Sequence, residues 1–141
     1  MIGLAEVAVG DELPVLTALI TRENLVRYAG ASGDFNPIHW NAAFAKSVGL
    51  PDVIAHGMYT LALTGRVITE WVGDAGAVLE FGARFTRPVV VSDAHGATLV
   101  VAGKVTSRAD NGHIGVDLSA TVDGQTVLAK AKAVLAVAAA R

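Results

Sequence analysis

No cysteine occurs in the chain, which removes disulfides, thiolate nucleophiles and cysteine-based zinc sites together. Charge is sparse as well: 17% of residues are Asp, Glu, Lys or Arg, the formal net charge is -2, and Lys and Arg never form a run. Nucleic-acid binding depends on clustered cations facing phosphates, so a nucleic-acid partner is not expected. Also missing are an internal repeat, a low-complexity tract, an H-E-x-x-H metal spacing and a phosphate-binding glycine loop. No metal and no cofactor is therefore expected. The start, MIGLAEVAVGDEL, lacks a basic segment and acquires acids early, unlike a signal peptide. The apolar stretch from Val127 to Ala140 is interrupted by Lys130 and Lys132 and is too short to cross a bilayer. The expectation is a cytoplasmic protein with no membrane partner.

What the chain has in quantity is apolar side chains, 52% of 141 residues. That supplies a sizeable core for one domain spanning 1–141. Its two halves differ in period. Up to about Trp71 the pattern reads mainly as helix and loop, after a first strand over Glu12 to Ile20. Thr21 reads as an N-cap for a helix with Leu25, Tyr28, Ala29 and Ser32 on one face. Gly30 and Gly33 weaken its end and open the loop Gly33-Asp34-Phe35-Asn36-Pro37. Asn41 caps a second, short helix that stops at Gly49 and Pro51. The segment from Gly57 to Val72 has little polar face, the mark of a buried helix, roughly 24 Å long at about 1.5 Å per residue.

From about Ala77 onward alternation takes over. Leu79, Phe81, Ala83 and Phe85 share a face, as do Leu99, Val101, Gly103 and Val105, and Ile114, Val116, Leu118 and Ala120. In the last strand Val127, Ala129, Ala131, Ala133 and Leu135 read as inward. Asp110-Asn111-Gly112 and Asp123-Gly124 mark hairpins. The simplest assembly is an α+β fold, an antiparallel sheet wrapped around one central buried helix.

Chemically able side chains concentrate between Tyr28 and His39. Asp34 and His39 lie five residues apart, a spacing that would point them away from each other on a helix. On a loop stiffened by Pro37 and Asn36 they can converge on one water. Spacing alone serves an Asx turn with a structural histidine equally well. A second segment, Ile54-Ala55-His56-Gly57-Met58, directly precedes the buried helix. Its Gly57 N–H, at a helix start, can hold an oxygen that becomes negatively charged, although Gly57 also suits a plain turn. His56 reads as a buried, hydrogen-bonded histidine, and Asn36 and His56 are the candidate substrate-binding or supporting residues. His95 and His113 read as surface residues. Arg84, Arg87, Arg66 and Lys46 are the cations available to a phosphate.

These motifs carry a resemblance. Tyr28, then Gly33-Asp34-Phe35-Asn36-Pro37-Ile38-His39, then Gly49-Leu50 and Ile54-Ala55-His56-Gly57-Met58 resemble the signature of the MaoC-like hydratase/dehydratase family. Arg84-Phe85-Thr86-Arg87-Pro88-Val89 with Asp93 is similar to another of its stretches. Within the family, Asn36 to Trp40, Ile54 to Met58, and Trp71 to Asp74 with Gly76 to Val78 are similar to the catalytic B subunits of (3R)-hydroxyacyl-acyl-carrier-protein dehydratases of mycolic-acid synthesis. The resemblance implies a hot-dog fold with residues 57–72 as the central helix, and Asp34 and His39 as the catalytic pair. It further implies an acyl thioester substrate on acyl carrier protein or coenzyme A, and a homodimer or a heterodimer with a sister hot-dog subunit. A homodimeric (R)-specific enoyl-CoA hydratase, a non-catalytic acyl-binding subunit and a thioesterase are the competing readings. Some family members carry a serine on the central helix, where this chain has Thr60, Thr64 and Gly65. Its role would then pass to a threonine, to Ser32 or to water.

Overall fold

The computed structural model describes residues 6–136. Five strands form one antiparallel sheet: β1 (Glu12–Ile20), β2 (Val78–Phe85), β3 (Ala97–Arg108), β4 (His113–Val122) and β5 (Gln125–Ala136). Their order across the sheet is β1-β3-β4-β5-β2. Three helices precede β2: α1 (Arg22–Ser32), α2 (Ala42–Ser47) and α3 (Gly57–Val72). The α+β expectation holds, with α3 lying in the concave side of the sheet.

Local chemistry explains the elements that carry the loop. Thr21 caps α1 reciprocally: its side chain accepts the Asn24 N–H, and Asn24 Oδ1 accepts the Thr21 N–H at 2.8 Å. At the other end Gly33 adopts φ 77°, left-handed backbone open to glycine at little cost, and its N–H closes on Ala29 O at 2.9 Å. The chain is thereby turned out of the helix at the residue before Asp34. Asn41 caps α2 by accepting the Phe44 N–H at 3.0 Å.

The core lies between α3 and the sheet. Leu63, Val67, Ile68, Trp71 and Val72 of α3 are buried with Leu99, Val101, Val105, Ile114, Val116, Leu118, Ala131, Ala133 and Leu135 of β3, β4 and β5. The alternation read in β3 and β4 is the alternation observed. Strand β2 is fitted to the helix by two close approaches. An added Cβ on Gly57 would lie 3.0 Å from the Phe85 ring, and one on Gly65 would lie 3.0 Å from the Phe81 ring. Two glycines eight residues apart on a helix lie about 12 Å apart. Two side chains four residues apart on a strand span about 13 Å. The match of lengths seats both rings.

Three expectations need correction. Leu79 is half-exposed, because the β2–β5 register shifts between Val78 and Glu80 and the helix-facing side of β2 begins at Val78 instead. In β5, Leu128 rather than Ala129 is fully buried. Ala120 pairs with Leu128 and Leu118 with Ala131, so an irregularity around Lys130, at φ 50°, breaks the simple period. Finally, α3 is buried on one flank only: Met58, Ala62, Arg66 and Glu70 are exposed, since one sheet covers one side of a helix. Val127 to Ala136 of the apolar C-terminal stretch belong to β5; the remainder, and residues 1–5, lie outside the described residues. Among the described residues no helix is long and apolar enough to cross a membrane.

Ile68 is 1% exposed at the centre of α3. Ile68→Ala is expected to remove about 2–5 kcal/mol of stability, as buried large-to-small substitutions do. Urea or thermal unfolding checks this; a loss below about 1 kcal/mol would contradict the assignment of α3 as the centre of the core.

Candidate active site

The loop after α1 returns to the core through a short 3-10 turn, Pro37–His39. Pro37 suits the first position of such a turn, where no N–H is needed. Asn36 Oδ1 accepts the Ile38 N–H at 3.3 Å, so the Asn36 side chain caps the turn and supports the loop. The Asx geometry is therefore real. It coexists with the convergence of Asp34 and His39.

His39 is 7% exposed. Its Nδ1–H donates to the Ile54 carbonyl at 2.7 Å, which leaves Nε2 as the free lone pair of the neutral ring. That Nε2 stands 3.8 Å from Asp34 Oδ2. The gap exceeds a direct hydrogen bond, and one water can span it with two bonds of about 2.8 Å. Burial, the largest influence, pushes the His39 imidazole below its ordinary pKa. The bond to Ile54 opposes that, and His56 lowers while Asp34 raises it by smaller amounts. The ring is thus held as a neutral base with its acceptor nitrogen toward the carboxylate.

Asp34 is the exposed member, with 53% of its side chain accessible. Its Oδ1 accepts the Asn36 N–H at 3.1 Å, and its own N–H donates to Ser32 Oγ at 3.2 Å. His56 is 2% exposed, and its Nε2–H donates to the Asp34 backbone carbonyl at 3.1 Å. The His56 ring also stacks on His39, centroids 3.8 Å apart at 22°, and Tyr28 packs against it with centroids 4.8 Å apart at 59°. Ligand-type atoms of Asp34, His39 and His56 lie within 4.8 Å of one another. His39 Nδ1 and His56 Nε2 are already bonded to backbone carbonyls, so each ring has one nitrogen left to offer.

Beside His39 lies a cavity of about 340 Å³. His39, Gly57, Thr60, Phe85, Arg87 and Leu128 are among its walls. Gly57 is the first residue of α3, so the helix leaves its N–H unpaired. His39 and Gly57, which belong to separate motifs, thus line one space. Of the stand-ins for the helix serine, Thr60 lines this cavity, Thr64 donates to Thr60 O at 2.9 Å, and Ser32 touches Asp34 through the backbone. Of the four cations, Arg87 lines the cavity, while Arg66 is paired with Glu70 at 2.6 Å. His95 is exposed, and His113 is half-buried beside Asn111.

Sequence reasoning missed the Ile54 carbonyl, the His39–His56 stack and the Phe85 ring over Gly57. A backbone acceptor leaves no mark in a side-chain motif. Only the separation of the two motifs, fifteen residues from His39 to Ile54, hinted that they meet.

This combination of fold and site defines a hot-dog domain of the MaoC-like kind. The family model described as "MaoC like domain" matches residues 7–123, and the chain belongs to that family. Over 78 residues it is 41% identical to the 3-hydroxyacyl-thioester dehydratase X of Mycobacterium tuberculosis. That alignment covers 55% of this chain and 27% of the relative, so the chain spans well under a third of that protein. Among solved structures it is similar to a MaoC-like dehydratase, with TM-score 0.92 and 41% identity over 95% of this chain and 42% of the other. It is also similar to the R-hydratase PhaJ1 of Pseudomonas aeruginosa, with TM-score 0.82 and 29% identity over 95% of this chain and 84% of the other.

The His39 environment is open to direct measurement. An NMR titration is expected to place His39 below the ordinary histidine value of about 6.5. Asp34→Asn removes a carboxylate that favours the imidazolium, so it should lower the value further. Titration of His39 at or above the ordinary value would contradict the geometry.

Proposed function

We propose that the chain is a hydro-lyase acting on acyl thioesters, interconverting a (3R)-hydroxyacyl thioester and a trans-2-enoyl thioester plus water. The observation that carries this is the 3.8 Å gap between Asp34 Oδ2 and a His39 Nε2 whose tautomer leaves it as an acceptor. A water held there meets a base on one side and a carboxylate on the other.

In hydration, the water oxygen bonds to C3 as its proton passes to His39 Nε2, while Asp34 accepts its second hydrogen in a hydrogen bond. The C2=C3 electron pair moves toward the thioester, whose oxygen becomes enolate-like and is met by the Gly57 N–H. C2 then takes a proton from the Asp34/His39 pair, which closes the balance at one water added. Dehydration retraces the same steps. The thioester itself acidifies C2, so no cofactor enters this path. The carrier is acyl carrier protein or coenzyme A, whose phosphate meets a cation near the cavity mouth; Arg87 is placed for this.

A second reading, a homodimeric (R)-specific enoyl-CoA hydratase, is favoured by the similarity to PhaJ1 over 84% of that chain. A non-catalytic acyl-binding subunit would have no use for a positioned acid–base pair, and a thioesterase with a lone carboxylate none for His39.

The dyad is tested by Asp34→Asn and His39→Ala. Each is expected to lower turnover of trans-2-enoyl thioesters at least about a hundredfold with the fold kept. The wild-type product should be the R alcohol by chiral chromatography. Near wild-type rates in either variant, or a mainly S product, would reject the assignment.

The working unit is at least a dimer, homomeric or with a sister hot-dog subunit. Met58 of α3 and Phe85 of β2 are each at least half exposed, and Phe85 packs on the first residue of α3, beside Met58. A small chain gains by covering such a surface through association. Light scattering on the isolated chain is expected to give twice the chain mass or more, or to do so once the sister subunit is added. A stable and fully active monomer would overturn this.

A further inference from the structure

We infer that His56 is a positioning residue, a side-chain tether that holds the Asp34 backbone, and so its carboxylate, against the catalytic imidazole. The inference rests on the Asp34/His39 reading above. The other hydrogen bonds of Asp34 are local and exposed: Ser32 Oγ lies two residues before it and the Asn36 N–H two residues after. Among the described residues, the bond that ties Asp34 to the buried frame comes from His56, twenty-two positions away. His56 is 2% exposed and so rigidly framed. Tyr28 packs on one side of its ring, and His39 stacks at 3.8 Å. One ring therefore bonds to one member of the dyad and packs face to face on the other.

The unpartnered nitrogen of His56 explains the direction of that bond. His56 Nδ1 is buried and meets no partner among the described residues. A proton placed there would be a buried donor with no acceptor, and Asp34 O would then face a lone pair. The arrangement is consistent only with Nε2 as the donor. His56 is also the residue from which α3 starts, one before Gly57. It thus joins the water-holding pair and the oxyanion donor in one rigid unit, where small misplacement lowers rate much more than binding.

The test separates donor from packing. In His56→Gln the amide nitrogen falls where Nε2 was. In His56→Asn it is one methylene short. The tether predicts that His56→Asn lowers kcat at least tenfold with KM within about twofold, and that His56→Gln stays within about threefold of wild type. Should His56→Asn fail to fold, His56→Met fills the same space without a donor and takes its place. Wild-type kcat in the donor-free variant, or His56→Gln as slow as that variant, overturns the inference. Amide exchange at Asn36, whose N–H rests on Asp34 Oδ1, gives a readout without activity. At least tenfold faster exchange in His56→Asn with no change in His56→Gln supports the tether, and equal rates overturn it. A wild-type protein with no turnover of enoyl thioesters would reject the dehydratase reading, and the exchange rates would then decide the tether alone.

Discussion

The hydrogen bond from His39 Nδ1 to the Ile54 carbonyl, 2.7 Å long, is the contact on which the site depends. It chooses the tautomer and therefore decides that Nε2 is a base. It also requires that Ile54 be held, and the surrounding backbone does so. The Ile54 N–H donates to Ile38 O, the Ala55 N–H to Val89 O, and the Val91 N–H to Val53 O. Segment 53–55 is in effect a short strand laid between the loop that carries His39 and residues 89–91. Arg22, at the start of α1, braces the same place, pairing with Asp52 at 2.7 Å and donating to Val91 O at 3.3 Å. Because that pair is partly buried, screening weakens it less than a fully exposed one.

Burial divides the labour between the two polar groups. His39 is enclosed, so desolvation disfavours its charged form and keeps the ring able to accept a proton. Asp34 is left half open to solvent, with 53% of its side chain accessible. One loop thus delivers an imidazole and a carboxylate to two different dielectric surroundings. The five-residue interval from Asp34 to His39 suffices for this only because Gly33 and the Pro37 turn redirect the chain twice between α1 and α2.

Much of the fold was legible because its determinants are local or periodic. The Thr21 cap, the Gly33 stop, the Asn41 cap and the alternation of β3 and β4 each follow from neighbours in sequence. Errors fell where a strand departs from a period of two. Leu79 and Ala129 both read as inward, and both were displaced by irregularities in the pairing of β2, β4 and β5. Such an irregularity is settled by the partner strand and by what the strand packs on. In β2 that includes the seating of Phe81 and Phe85 against the glycines of α3.

From sequence alone followed the α+β class, the place of the central helix, and the identity of the residues with acid–base potential; the hot-dog fold followed from the family resemblance. These depend on residue type and on spacing within about twenty positions, which the chain carries without folding. The tertiary structure alone decided which nitrogen of His39 faces Asp34, the width of the gap between them, and the cavity that His39 and Gly57 both line. It decided too that α3 keeps an open flank. Each of these depends on a backbone carbonyl, a ring face or a missing neighbour brought in from a distant part of the chain. A side-chain alphabet cannot encode such contacts locally, because they exist only once the sheet has closed on the helix.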